Sequence, residues 1–94
     1  MTGFEWDDDK RSRNIEERGV DFRVAARIFM NPVNEAEDER GDYGEVRIRA
    51  LGHVGDEYYL VVYSWRGTNR RIISAWKVGR NGRKRYQAIL ARRT

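Results

Sequence analysis

The sequence of 94 residues contains no cysteine, one histidine and one proline, and none of its apolar runs is long. The lack of cysteine excludes a disulfide and a thiolate zinc site, and His53 alone cannot form a histidine-rich metal site. No apolar run approaches the ~18 residues that a membrane span needs, and the acidic start lacks the apolar core of a signal peptide. We therefore predict a cytoplasmic protein with no membrane contact, no metal site and no cofactor.

The charges are divided unevenly along the chain. Residues 1–45 hold seven Lys or Arg against thirteen Asp or Glu, a net charge of −6, whereas residues 46–94 hold twelve against two, a net charge of +10. So basic a second half favours a polyanionic partner, above all a nucleic acid. The alternative is that the two halves pack together and neutralise each other, which the small total of +4 permits.

The apolar pattern predicts a β-hairpin over residues 57–77. Two runs rich in Val, Ile, Tyr and Trp flank the turn sequence Arg-Gly-Thr-Asn, which is a typical hairpin signal. Both faces of the first strand are mostly apolar, so we expect this strand to be central and covered on both sides. Arg66, Arg70 and Arg71 would then lie at the turn end, either as an anion-binding rim or as a solvated hairpin tip.

The first third of the chain predicts two helices. Asp7 suits an N-cap and Gly19 a C-terminal stop, so a helix is expected over residues 8–18. Apolar residues spaced three and four apart then predict an amphipathic helix over residues 21–31. Pro32 ends this helix, because the residue before a proline is disfavoured in the helical region.

The strands complete an α+β fold. Residues 4–6 are long enough for an edge strand, and residues 45–51 alternate as a strand with one wet face. The acidic segment 34–44 is predicted to be a mobile loop; alternatively it mimics a phosphate backbone or docks a basic partner. With a basic helix at the C-terminus, the expected order is β-α-α-β-β-β-α. This is a small antiparallel sheet with helices in a single domain, residues 1–94.

Several short motifs occur in a fixed order between residues 4 and 87. They are Phe4-Glu5-Trp6-Asp7 with Lys10 and Asn14, then Gly19-Val20 with Phe22 and Ala25-Ala26, then Val61-Val62-Tyr63 before Arg66-Gly67, and finally Arg71-Ile72-Ile73-Ser74-Ala75 before Lys77 and Tyr86. The ordered set resembles the BrnT toxins of bacterial type II toxin–antitoxin systems, which are small ribonucleases with a RelE-like fold. No single motif carries the resemblance, but their order does.

The resemblance implies a function and a set of partners. It implies a metal-independent endoribonuclease that cleaves RNA to arrest growth. It also implies a cognate antitoxin, a BrnA-like protein with a ribbon-helix-helix part, which neutralises the toxin. Operator DNA would be contacted only through that antitoxin. The alternative from the residues alone is a small basic domain without catalytic activity that binds nucleic acid or a protein partner.

RNA cleavage of this kind requires three chemical roles. A base or a polarising cation activates the 2′-hydroxyl, cations stabilise the pentacoordinate phosphate, and an acid protonates the 5′-leaving oxygen. Arginine suits the second role because its planar fork binds two phosphate oxygens and stays charged. The catalytic candidates are Arg66 and Arg71 beside the hairpin turn, Lys77 at the far end of the same strand, and Lys10 in the first helix.

The RNA-binding candidates lie in the hairpin and around the last helix; they are Arg70, Arg80, Arg83, Lys84 and Tyr86. Each candidate also has a structural alternative. The arginines could be solvated residues of a turn or a sheet border, Lys10 could pair with a nearby carboxylate, and Tyr86 could pack the last helix on the core. The sequence has no obvious general base. Cleavage would then depend on the positioning of the RNA and on charge neutralisation, and its rate would be modest.

Three positions depart from the pattern of the family that the chain resembles. The family usually carries a Lys-His pair before the helix-ending glycine, an arginine directly after Ser-Ala, and a glutamate in the basic run. Here these positions are Glu17-Arg18, Trp76 and Gly82. The departures predict either an attenuated ribonuclease or natural drift in which Arg18 and Lys77 take over the lost roles.

Overall fold

Strands and helices alternate along the part of the chain that the computed structural model describes, residues 3–41 and 43–92, with side chains through residue 88. In order, the elements are β1 (Phe4–Trp6), α1 (Asp8–Arg18), α2 (Phe22–Ala25), a 3₁₀ helix (Ala26–Met30), β2 (Asn34–Glu37), β3 (Ile48–Val54), β4 (Glu57–Arg66), β5 (Asn69–Lys77) and α3 (Arg80–Arg92). Within those residues, no helix is both long enough and apolar enough to cross a membrane.

The five strands form one mixed sheet in the order β1-β5-β4-β3-β2. The strands β2 to β5 pair antiparallel, but β1 pairs parallel with β5, with Phe4 opposite Arg70 and Trp6 opposite Ile72. The predicted α+β class is confirmed, whereas the purely antiparallel sheet is wrong at β1. Parallel strands need a long crossover, and here about two thirds of the chain separates the two partners. The predicted central strand, β4, does lie in the middle of the sheet.

The acidic segment 34–44 begins with a strand that the sequence pattern did not predict. Residues 34–37 form β2 and pair with β3, with Asn34 opposite Leu51 and Glu37 opposite Ile48. As an edge strand with mostly exposed side chains, β2 has no apolar alternation by which it could be recognised. The predicted order therefore lacks one strand. Asp42, also in the predicted loop, lies outside the described residues.

Two other predicted elements differ in detail. The helix predicted over 21–31 begins with its Asp21 cap but tightens from α2 into the 3₁₀ helix after Ala25. Gly52 of β3 lies under this tight turn, where an added Cβ would stand 2.9 Å from the Ile28 Cβ. The 3₁₀ helix can therefore approach the sheet closely. The strand predicted over 45–51 instead spans Ile48–Val54.

The two sheet faces are covered differently. On the helix-covered face, Tyr59, Val61 and Tyr63 of β4 form the core with buried residues of α2 and the 3₁₀ helix such as Phe22 and Ile28. The outer face carries the alternate β4 side chains, which are Tyr58, Leu60, Val62 and Ser64. At one end of the outer face α3 packs on the sheet, since Tyr86 contacts Tyr58 and His53.

A β-bulge in β5 changes which side chains reach the outer face. Val62 pairs with Ser74 and Tyr63 pairs with Ile72, so Ile73 has no partner on β4. The extra residue shifts the alternation by one. As a result Ile72 and Ala75 are both buried in the core cluster, and Trp76, opposite Leu60, lies on the outer face.

A buried asparagine ties α1 to the edge of β5. The Asn14 Nδ2 donates to the carbonyl oxygens of Val20 and Ala75, each at 2.8 Å, and the Ala75 N–H donates to Asn14 Oδ1 at 3.3 Å. The pairing of β1 with β5 extends only to Ile72. Asn14 therefore satisfies the β5 backbone beyond the end of β1, and α1 takes the place of a strand there.

The change Asn14→Ala is expected to lower the free energy of unfolding by about 2–4 kcal/mol, because it leaves buried backbone groups of Val20 and Ala75 without partners. Urea unfolding followed by circular dichroism measures the loss. Ser12→Ala, an exposed change on the same helix, is the matched control and should shift stability by no more than about 0.5 kcal/mol. A similar small loss for both variants would contradict the role given to Asn14.

Candidate active site and nucleic-acid interface

Two of the predicted catalytic arginines lie together at the turn end of the outer face. Arg71 of β5 is directly opposite Ser64 of β4, and Arg66 lies two residues beyond Ser64 on the same face. The Arg66 Nη1 donates to the Ser64 Oγ at 3.3 Å, and Ser64 is only 1% exposed. The buried hydroxyl thus lies next to two arginines that share one face of the sheet.

Each of these arginines is held by a carboxylate that sequence reasoning did not select. Arg66 Nη1 lies 2.7 Å from Glu45 Oε2, and Arg71 Nη1 lies 2.9 Å from Glu5 Oε2. The hydrogen bond from Arg66, with the positive charges of Arg47 and Lys10, lowers the pKa of Glu45. The Glu45 carboxylate is therefore ionised at neutral pH and able to accept a proton. Glu5 reaches Arg71 only because β1 pairs with β5, which the sequence does not reveal.

Two further arginines extend the basic surface along β3. Arg49 is opposite Val62 on the outer face, and Arg47 lies two residues earlier, where its guanidinium stacks on Tyr43 at 3.9 Å from the ring centroid. The Nε atoms of both are buried and donate to none of the residues described. We call Arg47, Arg49, Arg66 and Arg71 the arginine cluster. The sequence pattern predicted a solvent-exposed face for this strand. That prediction was the one indication that Arg47 and Arg49 belong to the site.

Trp76 occupies the middle of the outer face between two guanidinium groups. The Cζ of Arg18 lies 4.7 Å from the centroid of the Trp76 ring, and that of Arg40 lies 5.8 Å away. Asp38 fixes Arg40 with contacts of 2.7 Å to Nε and 3.0 Å to Nη2. Arg18 and Trp76, two of the three departures from the family pattern, are therefore in contact. The Arg18 guanidinium thus provides a positive charge next to position 76, although residue 76 itself is not an arginine.

The third departure, Gly82, lies elsewhere. It is in the first turns of α3, where an added Cβ would stand 2.9 Å from the Val78 Cβ. A larger residue at position 82 would require Val78 to move, so the loss of a glutamate here is tied to how α3 packs.

Lys10 of α1 lies at the edge of the sheet. It lines a shallow depression of about 180 Å³ at the β5 edge together with Arg18 and Ser74. Its charge also reaches Glu45, whose pKa it helps to lower. The structure therefore brings Lys10, Arg66 and Glu45 within electrostatic reach of one another.

Lys77 does not join this group. It is opposite Tyr59, near the other end of β4, and its Nζ lies 3.7 Å from Glu57 Oε2. Five residues separate Tyr59 from Ser64, or roughly 17 Å along an extended strand. Lys77 and the Arg66–Arg71 pair therefore cannot contact one phosphate.

The RNA-binding candidates of α3 lie together at that same end. Arg80, Arg83 and Lys84 line a cavity of about 370 Å³ with Tyr58. The Arg83 Cζ lies 4.9 Å from the centroid of the Tyr58 ring. The other two candidates lie apart from this cavity.

Arg70 and Tyr86 have mainly packing surroundings. Arg70 lies on the helix-covered face, stacked at 4.2 Å on the Phe29 ring and at 4.7 Å on the Trp65 ring. Tyr86 is 1% exposed, and its hydroxyl donates to the carbonyl of Pro32. The structure thus places Tyr86 in the core-packing position that was its alternative.

Comparisons with known proteins give a consistent assignment. A family model described as "Ribonuclease toxin, BrnT, of type II toxin-antitoxin system" matches residues 6–89. The 1.1 Å crystal structure of the Brucella abortus ribonuclease toxin BrnT aligns with a TM-score of 0.69 and 22% sequence identity, over 85% of this chain and 100% of that chain. At this identity the structural likeness establishes a shared fold. A search of curated proteins gave no match.

The change Asp38→Asn is expected to destabilise the fold at neutral pH and to matter progressively less below about pH 4. The hydrogen bonds from Arg40 lower the pKa of the Asp38 carboxyl in the folded state. The ionised carboxylate therefore adds stability above its unfolded-state pKa of about 3.9, and this stability is lost as pH falls through the folded-state pKa.

Urea unfolding between about pH 7 and about pH 2.5 measures this dependence. Glu39→Gln, a charge-matched change at the exposed neighbouring residue, should show no such trend. A loss for Asp38→Asn that is the same at every pH would contradict the assigned ion pair.

Proposed function

Because this chain belongs to the BrnT family of ribonuclease toxins from type II toxin–antitoxin systems, we propose that it is a metal-independent endoribonuclease that cleaves cytoplasmic RNA to arrest growth. We place cleavage at the turn end of the outer face, on a fold of the RelE-like type. The observation that supports this most directly is the meeting of Arg66, Arg71 and two carboxylates around the buried Ser64.

The proposed step is a transfer within the RNA itself. The 2′-oxygen forms a bond to the adjacent phosphorus as the bond from phosphorus to the 5′-oxygen breaks. Glu45, kept ionised by Arg66, accepts the proton of the 2′-hydroxyl. Arg66 and Arg71 bind the non-bridging oxygens, where charge accumulates in the transition state.

The leaving 5′-oxygen needs a proton, for which Lys10 is better placed than Lys77. Lys10 lines the depression at the β5 edge with Ser74, and its charge acts on Glu45, whereas Lys77 pairs with Glu57 at the other end of the sheet. A protonated amine next to a departing oxygen both stabilises its charge and supplies the proton. Fixed guanidinium groups and a positioned carboxylate then provide most of the rate by orientation and charge neutralisation.

We also propose the partners of this site. The family implies an antitoxin, and a BrnA-like protein that covers the outer face would neutralise the toxin by blocking RNA. The half-buried guanidinium groups of Arg47 and Arg49 on this face support the assignment, because acidic side chains of a partner can bind the same groups as phosphate. Operator DNA would be contacted through the antitoxin alone.

Arg66→Ala and Arg71→Ala are each expected to lower kcat for RNA cleavage by about 100-fold, since each removes one charged donor from the transition state. Single-stranded RNA in excess EDTA is the substrate, and product appearance on a gel is the readout. Arg27→Ala, an exposed arginine of the 3₁₀ helix on the other side of the sheet, is the matched control. Absence of cleavage by the unmodified chain would favour the non-catalytic binding domain instead.

Trp76→Arg is expected to raise kcat by about 10-fold, because it adds a third permanent cation beside those of Arg18 and Arg40. Trp76→Phe keeps an aromatic ring without adding charge and should leave kcat near that of the unmodified chain. Gly82→Glu is a poorer restoration, since its side chain meets Val78. Equal rates for Trp76→Arg and the unmodified chain would argue against attenuation and for replacement by Arg18.

A further inference from the structure

The cavity between α3 and the start of β4 lies on the same sheet face as the arginine cluster. Its volume of about 370 Å³ is within the range of small-ligand pockets. Tyr58, which lines it, and Ser64, at the cluster, both project from the outer face of β4. Six residues separate them, which corresponds to roughly 20 Å along an extended strand. The cavity is therefore too remote to hold the scissile phosphate.

The cations at this cavity are available for a ligand. Among residues 3–41 and 43–92, no carboxylate pairs with Arg80, Arg83 or Lys84, whereas Arg66 and Arg71 each bind one. All three cations are exposed and line the same concave surface. Binding a phosphate there breaks no ion pair, and the charge-assisted hydrogen bonds are gained outright.

The cavity also has an aromatic side. The Arg83 guanidinium lies 4.9 Å from the centroid of the Tyr58 ring, and the edge of that ring packs on Tyr86 at 5.4 Å between centroids. The Gln87 Nε2 donates to the Tyr58 hydroxyl at 3.4 Å. The Tyr58 ring is thus held in place before any ligand arrives. Unstacked RNA bases bind on such aromatic rings and on guanidinium planes.

Two carboxylates form the remaining wall of the cavity. Glu57 is paired with Lys77, at 3.7 Å, and Asp56 lies in the turn before β4. Carboxylates repel phosphate but accept hydrogen bonds from the exocyclic amino groups of bases. The lining therefore offers cations for a phosphate and carboxylates for a base edge.

We propose that this cavity is a remote subsite for one nucleotide of a single-stranded RNA whose cleaved phosphate lies at Arg66 and Arg71. The proposal rests on the proposed ribonuclease function. Between the two sites the RNA follows β4 across Leu60 and Trp76, which are opposite each other on the outer face. A base must leave its stack to enter the cavity, so the substrate is single-stranded rather than duplex RNA.

The test is the dependence of binding on RNA length. Dissociation constants are measured by fluorescence anisotropy for 2′-O-methyl oligonucleotides of about three to about eighteen nucleotides, which bracket the site sizes of single-strand grooves. The dissociation constant of the unmodified chain is expected to fall at least about tenfold once the RNA spans both sites. A tenfold change is near the lower end of what the stacking of one base contributes. The corresponding RNA duplexes are expected to show no such step.

The variant Arg83→Gln/Lys84→Gln is expected to lose the step. Arg23→Gln/Arg27→Gln removes the same charge from exposed residues of α2 and the 3₁₀ helix, and it is expected to keep the step. A smooth length dependence in the unmodified chain, a step that survives in Arg83→Gln/Lys84→Gln, or its loss in the control would each overturn the subsite.

Cleavage in excess EDTA, measured on the same preparations, keeps the two proposals apart. A length step without any cleavage would refute the ribonuclease function and retain the RNA subsite. Cleavage without a length step would refute the subsite alone.

Discussion

The parallel pairing of β1 with β5 is the constraint on which the candidate site depends. It places Glu5 directly opposite Arg71, so the carboxylate that holds this guanidinium comes from the start of the chain. The strand is short, and where it ends, Asn14 satisfies the β5 backbone in its place. That arrangement sets α1 along the sheet edge and brings Lys10 and Arg18 to the outer face. One pairing of three residues therefore determines the position of side chains from two elements.

Some cations of the basic half form ion pairs with carboxylates of the acidic half, and others are exposed without such a pair among the described residues. Glu5 and Glu45, from the acidic half, bind Arg71 and Arg66 from the basic half. These carboxylates offset the repulsion between neighbouring guanidinium groups and hold them in fixed orientations. No such partner in the described chain reaches the α3 cations. The two interpretations of the charge pattern, a polyanion-binding surface and neutralisation between halves, thus apply to different parts of the sheet.

Much of the local structure could be predicted from the residues, because it depends on local signals. The caps Asp7 and Gly19 bound α1 as expected, and the hairpin of β4 and β5 was recognised by its apolar runs and its turn. Strand β2 escaped prediction because an exposed edge strand needs no apolar face. The parallel position of β1 escaped because pairing between distant segments leaves no local pattern. The site divides in the same way: Arg66 and Arg71 were found at the hairpin, whereas Glu5 and Glu45 required the assembled sheet.

The bulge at Ile73 shifts by one residue the in-and-out alternation of side chains between the two ends of β5. Before it, Ile72 lies in the core; after it, the side chains alternate in the opposite sense, so Ala75 is buried and Trp76 is outside. If β5 kept all its residues but paired without the bulge, the alternation after Ile72 would exchange those two positions and direct an indole into a space sized for a methyl group. With this number of residues in β5, the bulge is what keeps the Trp76 indole on the outer face. One unpaired residue of β5 thus decides which side chains this strand presents at the candidate site.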